Sequence, residues 1–407
     1  MKIILVTRFY PPDTGGGGIA AYARYAAMGL TRAGHPVRVI SARTKGSKAR
    51  QTVDGVDVFR ISPPFGSYYW TRMPFLGRHV RFVRDLAYAW RVRQTLMKMS
   101  ADFRPDIVEY ADIDAEGIFH AKQLCPYLVK LHTPHAILRI YFSDKEAPYA
   151  RRGIEWLEDK TIHRAAGISS PSLYLAGEIE RIMNIAHGCI QYVPNFIDTD
   201  AFSPFPTCSE EQPLAVLYVG RLESGKGAPV FAQAVPLIAR AFPQAKFIFL
   251  GADRPDKHGN SQKALLLQAF EREGLQGSVE FHGHDSPEIF LSFYRQASVF
   301  VLPSLFENSP YTLLEAMACG KACVVSRAGG MPEMLVERES GLFFDPGNPY
   351  DLAEKVIALL RNTEQRKSLG QAARHRAEQE YGLDVGVEKT LAFYNSVLHK
   401  EQLCASC

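Results

Sequence analysis

The chain has 407 residues, of which 46% are hydrophobic and 22% charged, and a net charge of +4. These totals fit a globular protein of two or three domains. They exclude a membrane-spanning helix, since no run approaches the roughly 18 to 20 apolar residues one needs.

The N-terminus runs straight into a strand at Lys2 with no apolar signal segment before it. Seven scattered cysteines, with no histidine at zinc-finger spacing, point to reduced thiols in a cytoplasm rather than to a disulfide framework. Charge is uneven along the chain: residues 1–205 hold 27 Lys and Arg against 19 Asp and Glu, and the remainder holds 20 against 24. A basic half joined to an acidic half suggests that one half meets an anionic surface.

Apolar runs that read as strands fall at 3–6, 37–40, 107–110, 127–131 and 167–170, and again at 214–219, 246–250, 279–282, 299–302 and 322–325. Helical segments separate them. This alternation predicts parallel sheets covered on both faces, in two doubly wound domains. Four prolines and a polar cluster, Thr207 to Gln212, mark the linker between them.

In chain order, the first strand leads into Tyr10-Pro11-Pro12-Asp13-Thr14-Gly15-Gly16-Gly17-Gly18-Ile19 and a helix from about Ala20. Glycines there allow close backbone approach to a phosphate. The spacing is not that of a dinucleotide-binding loop. Residues 78–99 place basic residues at 78, 81, 84, 91, 93 and 98 among Phe82, Leu86, Tyr88 and Trp90. This pattern fits an interfacial helix on anionic lipid heads, with Tyr68, Tyr69 and Trp70 beside it, and equally a helix that covers the first sheet. No nucleic-acid module accompanies the charge. Lys130-Leu131-His132-Thr133-Pro134-His135 ends a strand, where an imidazole can donate a hydrogen bond or take a proton.

The second half opens with a strand and then Gly220-Arg221-Leu222-Glu223-Ser224-Gly225-Lys226-Gly227. Two cations just past a strand end can converge on one diphosphate. The loop is not a Walker A, because no Ser or Thr follows the lysine. Further on, Val299-Phe300-Val301-Leu302 reads as a buried strand, followed by a polar loop with Glu307 and Asn308. Ser309 is placed to cap a helix whose first residue is Pro310, with Gly320 as its stop. Free N–H groups at such a terminus bind phosphate, and carboxylates beside them accept hydrogen bonds from hydroxyls.

Glu307 and Glu315, with the surrounding Leu314-Glu315-Ala316-Met317-Ala318-Cys319-Gly320, resemble the E-x7-E signature of retaining GT-B glycosyltransferases of family 4. Gly17-Gly18, the Gly220 to Gly227 loop and the interdomain Pro194-Asn195-Phe196-Ile197-Asp198 also resemble family segments, in the family's order. Two departures are clear: Asn308-Ser309-Pro310 stands where the family reads Gly-Phe-Gly, and Phe196 replaces a usual glycine. Asp198-Thr199-Asp200 is a formal D-x-D, read here as a turn and hinge rather than a metal site.

The resemblance implies an α/β GT-B fold, two Rossmann-like domains facing across a cleft. Residues 1–193 with a returning C-terminal helix at 381–400 would bind the acceptor, 194–212 would link, and 213–380 would bind a nucleotide sugar. It implies His132, Arg221, Lys226 and Glu307 as catalytic. Gly17, Gly18, Arg221 and Lys226 would hold the diphosphate, and Glu307 with Asn308, Ser309 and Pro310 the sugar. Glu315 would hold the ribose and the strand ends at Gly251 and Gly283 the base. His135 and Arg139 are acceptor-side candidates. The implied activity is retaining transfer from a nucleotide-diphosphate sugar to a carbohydrate or lipid-linked acceptor in cell-envelope glycan, exopolysaccharide or glycolipid synthesis. No metal and no cofactor enter it, and the nucleotide sugar is a substrate. The implied location is cytoplasmic, with possible peripheral contact at the inner membrane face through 78–98. Two other readings remain: a GT-B sugar-nucleotide epimerase, which needs no acceptor, and a non-catalytic membrane-associated partner that keeps the fold.

Overall fold

A computed structural model describes residues 1–13, 17–63, 76–141, 148–204, 214–255, 259–283 and 287–405, with side chains described except at 76–81, 148–151, 287 and 401–405. Tyr68, Tyr69, Trp70, the side chains of Arg78 and Arg81, and the linker cluster from Thr207 to Gln212 therefore lie outside the described residues. The chain divides into unit 1, Met1–Phe196 with Leu383–Cys407, and unit 2, Ile197–Gly382.

Unit 1 contains β1 (Ile3–Val6), α1 (Gly18–Arg32), β2 (Val37–Ala42), β3 (Arg50–Val53), β4 (Val56–Ile61), α2 (Leu76–Ser100), β5 (Ile107–Ala111), β6 (Tyr127–Lys130), α3 (His135–Tyr141), α4 (Pro148–His163), β7 (Gly167–Ser170), α5 (Leu173–Met183) and β8 (Ile190–Tyr192). The strands form one sheet in the order β3-β4-β2-β1-β5-β6-β7-β8, parallel except for the β3–β4 pair. β1 and β5 are buried at every position, which is why they read as unbroken apolar runs. The hairpin β3–β4 was not expected from sequence. Its alternating half-exposed pattern differs from the buried strands, but Asp54 and Gly55, both at positive φ, are the residues a two-residue hairpin turn requires.

Unit 2 contains β9 (Ala215–Val219), α6 (Ala228–Ala241), β10 (Lys246–Leu250), α7 (Gln262–Arg272), β11 (Val279–His282), α8 (Pro287–Gln296), β12 (Val299–Leu302), α9 (Tyr311–Ala318), β13 (Ala322–Ser326), α10 (Met331–Met334), β14 (Leu342–Phe344), α11 (Pro349–Arg361) and α12 (Thr363–Tyr381). Its six parallel strands run β11-β10-β9-β12-β13-β14. Phe231, Phe247, Phe249 and Phe270 pack on one face of this sheet with Ile238 and Val235. The strand order reverses between β9 and β12, the place where an open α/β sheet leaves a crevice at its carboxyl edge.

The final helix, α13 (Leu383–Ala405), belongs to unit 1 and packs on α1. Its Tyr394 donates to buried Glu109 of β5 at 2.8 Å. Gly386 of α13 makes room for Phe196, whose ring is fully buried. A Cβ at 386 would lie 2.1 Å from Phe196 Cγ, at the root of the ring, where no rotamer change relieves it. The phenylalanine that departs from the family's glycine thus has its space supplied by a glycine on the last helix. Gly386→Ala should therefore destabilise the protein by about 1–3 kcal/mol of overpacking, against the roughly 1 kcal/mol that alanine gains by helix propensity. A lowered urea midpoint that Phe196→Ala partly restores in the double variant is the expected result. A midpoint at or above wild type would contradict this packing.

Candidate active site

In unit 2 two loops meet at the carboxyl ends of β9 and β12. The first carries Arg221 and Lys226, the second Ser304 to Glu307. Gly227 sits at φ 71° so close to Pro303 that a Cβ there would lie 1.9 Å from the Pro303 carbonyl oxygen. Leu305 N–H donates to Gly225 O at 3.0 Å, which ties the loops together. That contact brings Lys226 Nζ within 2.5 Å of Glu307 Oε1, while Ser304 Oγ donates to the same oxygen at 3.2 Å. Behind Glu307, Gly330 N–H donates to its carbonyl at 2.8 Å, and Gly329 leaves no room for a side chain there.

The structure pairs Arg221 differently from Lys226. Its guanidinium is exposed and meets Glu223 at 2.7 Å, and Tyr218 O–H holds the Arg221 carbonyl at 2.8 Å. Asn308, Ser309 and Pro310 are buried just before α9. The predicted cap is corrected by one residue: Pro310, not Ser309, occupies the cap position, and a proline side chain offers no cap hydrogen bond. The reason is backbone shape, since Pro310 is extended at ψ 128° and the helix begins at Tyr311. Gly251 donates to His282 O at 2.9 Å, and its backbone packs against Gly220 O. Gly283 is the exposed residue that follows β11. Asp198-Thr199-Asp200 forms a turn, with Ala201 N–H donating to Asp198 Oδ1.

Glu315 lies one turn into α9. Tyr294 of α8 donates to its Oε2 at 2.5 Å. Glu315 keeps part of its surface exposed, yet protein surrounds the carboxyl closely enough that burial pushes its pKa up to about 7, with the Tyr294 hydrogen bond opposing.

Unit 1 holds the remaining predicted residues. Gly17, at φ 131°, caps α1 and Gly18 opens it. His132 is buried at the end of β6. Its N–H donates to Asp112 Oδ2 at 2.8 Å and its ring stands edge-on to Tyr22 at 5.2 Å. Burial, then the neighbouring Lys130 charge, lowers its pKa to about 3. His135 Nδ1 meets buried Glu158 Oε1 at 2.7 Å, and Arg139 pairs with Glu155 at 3.1 Å. Both acceptor-side candidates are thus tied to α4.

Sequence reading missed two buried networks here. Glu109 accepts from Tyr22 at 2.9 Å as well as from Tyr394, beside Lys130, whose Nζ donates to Val193 O. Glu109, Tyr22 and Lys130 line a small cavity with His132, Thr7 and Ile19. Arg8 binds Asp85 at 2.9 Å, Asp114 at 2.8 Å and Glu116 at 3.1 Å, over the ring of Tyr88. Burial pushes Glu116 up to about 7 despite Arg8. The one available sequence signal was Asp85, the sole acid in the basic segment 76–100.

Residues 17–195 match the family described as Glycosyl transferase 4-like domain, and residues 201–376 match Glycosyl transferases group 1. An uncharacterized glycosyltransferase of Methanocaldococcus jannaschii is 25% identical over 411 residues, spanning 97% of this chain and 98% of the relative. Sucrose-phosphate synthase from Thermosynechococcus elongatus shares the fold with a TM-score of 0.80 at 19% identity, over 100% of both chains. Anabaena HepE, solved in complex with UDP and glucose, gives 0.71 at 18% identity over 97% of this chain and 100% of that one. The chain belongs to the group 1 glycosyltransferases of GT-B fold.

The low His132 pKa has a testable sign. An unfolded histidine titrates near 6.5, so between about 6.5 and 3 the unfolded chain binds the extra proton and stability falls with pH. His132→Gln should therefore lose about 2 kcal/mol less than wild type between pH 7 and pH 5, read by urea unfolding. Equal losses in the two proteins would mean that His132 is protonated in the fold.

Proposed function

We propose that this glycosyltransferase moves a sugar from a nucleotide-diphosphate donor to an acceptor hydroxyl with retention of anomeric configuration. The observation that carries the reading is the Lys226–Glu307 pair at the switch point of unit 2, beside the N-terminus of α9. A preformed cation next to a helix N-terminus suits a diphosphate, whose charge grows as the glycosidic bond breaks. When the diphosphate takes Lys226, the Glu307 carboxylate is released to accept from sugar hydroxyls. Glu315 accepts from the ribose. Support for a nucleotide sugar comes from Anabaena HepE, which shares the fold and was solved with UDP and glucose.

Retention follows from which groups reach the sugar. Inversion needs a strong base on the face opposite the diphosphate. Glu307, once released by Lys226, is committed to sugar hydroxyls and still held by Ser304, and the lowered His132 pKa makes its imidazole a weak base. We therefore assign proton acceptance to the leaving diphosphate, on the same face as the incoming hydroxyl. Unit 1 takes the carbohydrate or lipid-linked acceptor.

Radiolabelled UDP-, GDP- and ADP-sugars offered with glycan and lipid acceptors test the activity, and the anomeric coupling of the product by NMR tests retention. The rate should survive EDTA, because Lys226 and Arg221 supply the positive charge. Lys226→Ala should lower kcat far more than donor affinity, on the order of 2.7–4 kcal/mol of barrier. An inverted product, or a Lys226→Ala enzyme with wild-type kcat, overturns this mechanism. Conversion of the donor with no acceptor present would make the protein an epimerase instead.

We further propose that unit 1 rests on an anionic membrane face. No described helix is long and apolar enough to cross a membrane. On α2, Val83, Trp90 and Met97 recur every seventh residue and are exposed, with Arg91 and Lys98 on the same side. The only acid of α2, Asp85, turns inward to Arg8. An outward face with aromatic and basic residues and no acid suits anionic headgroups. The protein should sediment with phosphatidylglycerol vesicles at low salt and leave them at high salt. Arg91→Glu with Lys98→Glu should abolish sedimentation, and unchanged sedimentation would leave α2 as a sheet cover only.

A further inference from the structure

We infer that Tyr294 is a positioning residue for the donor's ribose, acting through Glu315. The inference rests on the reading of Glu315 as the group that binds the ribose hydroxyls. Tyr294 stands near the C-terminus of α8 and is buried, its ring packed against Phe300 of β12 at 5.9 Å and Phe202 at 6.4 Å. Its hydroxyl reaches across to α9 and donates to Glu315 Oε2 at 2.5 Å. The end of α8 is fixed on two sides. Lys321 Nζ donates to Arg295 O at 2.7 Å, and Arg295 Nε donates to Ser203 O at 2.8 Å. Tyr294 therefore offers a rigid donor rather than a mobile one.

The consequence is a carboxylate with two unlike oxygens. Oε2 is held by a phenol, and among the described residues no other side-chain hydrogen bond to the carboxylate exists, which leaves Oε1 open to a ligand. An ionised carboxylate accepts through both oxygens, each with two lone pairs, so it can meet a vicinal diol. The protonated form loses part of that capacity. The titratable groups beside Glu315 are Tyr294 of α8 and Cys319 at the end of α9, and Cys323 of β13 faces Tyr294. Lys321, Arg295 and Arg374 of α12 act on Cys319 but do not offset the burial of Glu315. Tyr294 is the group that favours the ionised form, so its hydroxyl both orients Glu315 and keeps it ready to accept.

The test uses calorimetric titration of the intact protein with UDP, GDP and ADP, then with the 2′,3′-dideoxy form of whichever binds, from pH 6 to 9. The diphosphate titrates identically in both ligands, so their affinity ratio isolates the diol. In wild type the ratio should rise with pH through about 7. Tyr294→Phe should move that rise to higher pH, cut affinity for the complete nucleotide about fivefold at pH 7 for a one-unit shift, and leave the dideoxy affinity unchanged. In the Glu315→Gln background the same substitution should cost nothing more. Should Tyr294→Phe fail to fold, a flat wild-type ratio overturns the proposal and a ratio that titrates near 7 supports it. A folded Tyr294→Phe protein with the wild-type ratio and pH profile overturns the Tyr294 role alone. No binding of any nucleoside diphosphate removes the donor site and this inference with it.

Discussion

The approach of Gly227 to Pro303 is the constraint on which the unit 2 site depends. Two strands that are neighbours in the sheet end in loops that must also be neighbours, and only a residue without a Cβ lets their backbones meet. Once they meet, Lys226 and Glu307 have no separate choice of position. Gly329 repeats the device on the far side of Glu307, where its backbone lies against the Glu307 carbonyl. The site is therefore built by backbone contact first, and the side chains inherit their geometry from it. This is the sense in which the parallel sheet positions chemistry: the reversal between β9 and β12 opens the crevice, and glycines close the loops around it.

Burial then sorts the ionisable groups into distinct states. Lys226 and Glu307 sit half-buried and neutralise one another, which keeps a charge pair in a site that must accept an anion. Glu315 has no cation to offset its burial and rises to about 7. His132 is held neutral by burial and by a like charge. The arrangement in unit 1 follows the same rule at larger scale. Arg8 serves three acids, and one of them, Glu116, rises to about 7 because its burial outweighs the attraction of Arg8, with the neighbouring Asp114 charge adding to the rise. Such a network fixes the ends of β1 and β5 in place at a desolvation cost that surface pairs avoid.

Much of this was legible in the sequence for a physical reason. Buried parallel strands are unbroken apolar runs, so β1, β9, β10 and β12 announce themselves, and the loops after β9 and β12 carry their glycines and charges in fixed order. What hid were elements without that signature. β3 and β4 alternate as a sheet edge does, and β8 and β14 have three residues each. The α9 cap slipped by one residue because a proline can open a helix or cap it, and only its ψ angle decides. Of the site, motif order implied that Lys226 and Glu307 share it, but neither their direct pairing nor the turn of Arg221 to Glu223 was implied, since a loop's sequence does not fix where its long side chains point. Tyr294 carried no signal at all: it lies 21 residues before Glu315, on another helix.

The inward turn of Asp85 joins fold to function. As a residue of α2 it could have faced solvent, where it would offset the arginines around it. The fold places it against Arg8, and the same burial that satisfies a cation in the core strips the outer face of its only negative charge. One acid thus serves two surfaces. Inside, it helps hold the end of β1. Outside, its absence leaves Trp90, Arg91 and Lys98 with no local counter-charge from their own helix. A neutral residue at 85 would loosen Arg8 and leave the outer face as it is, so what joins the two features is where the acid points, not its charge.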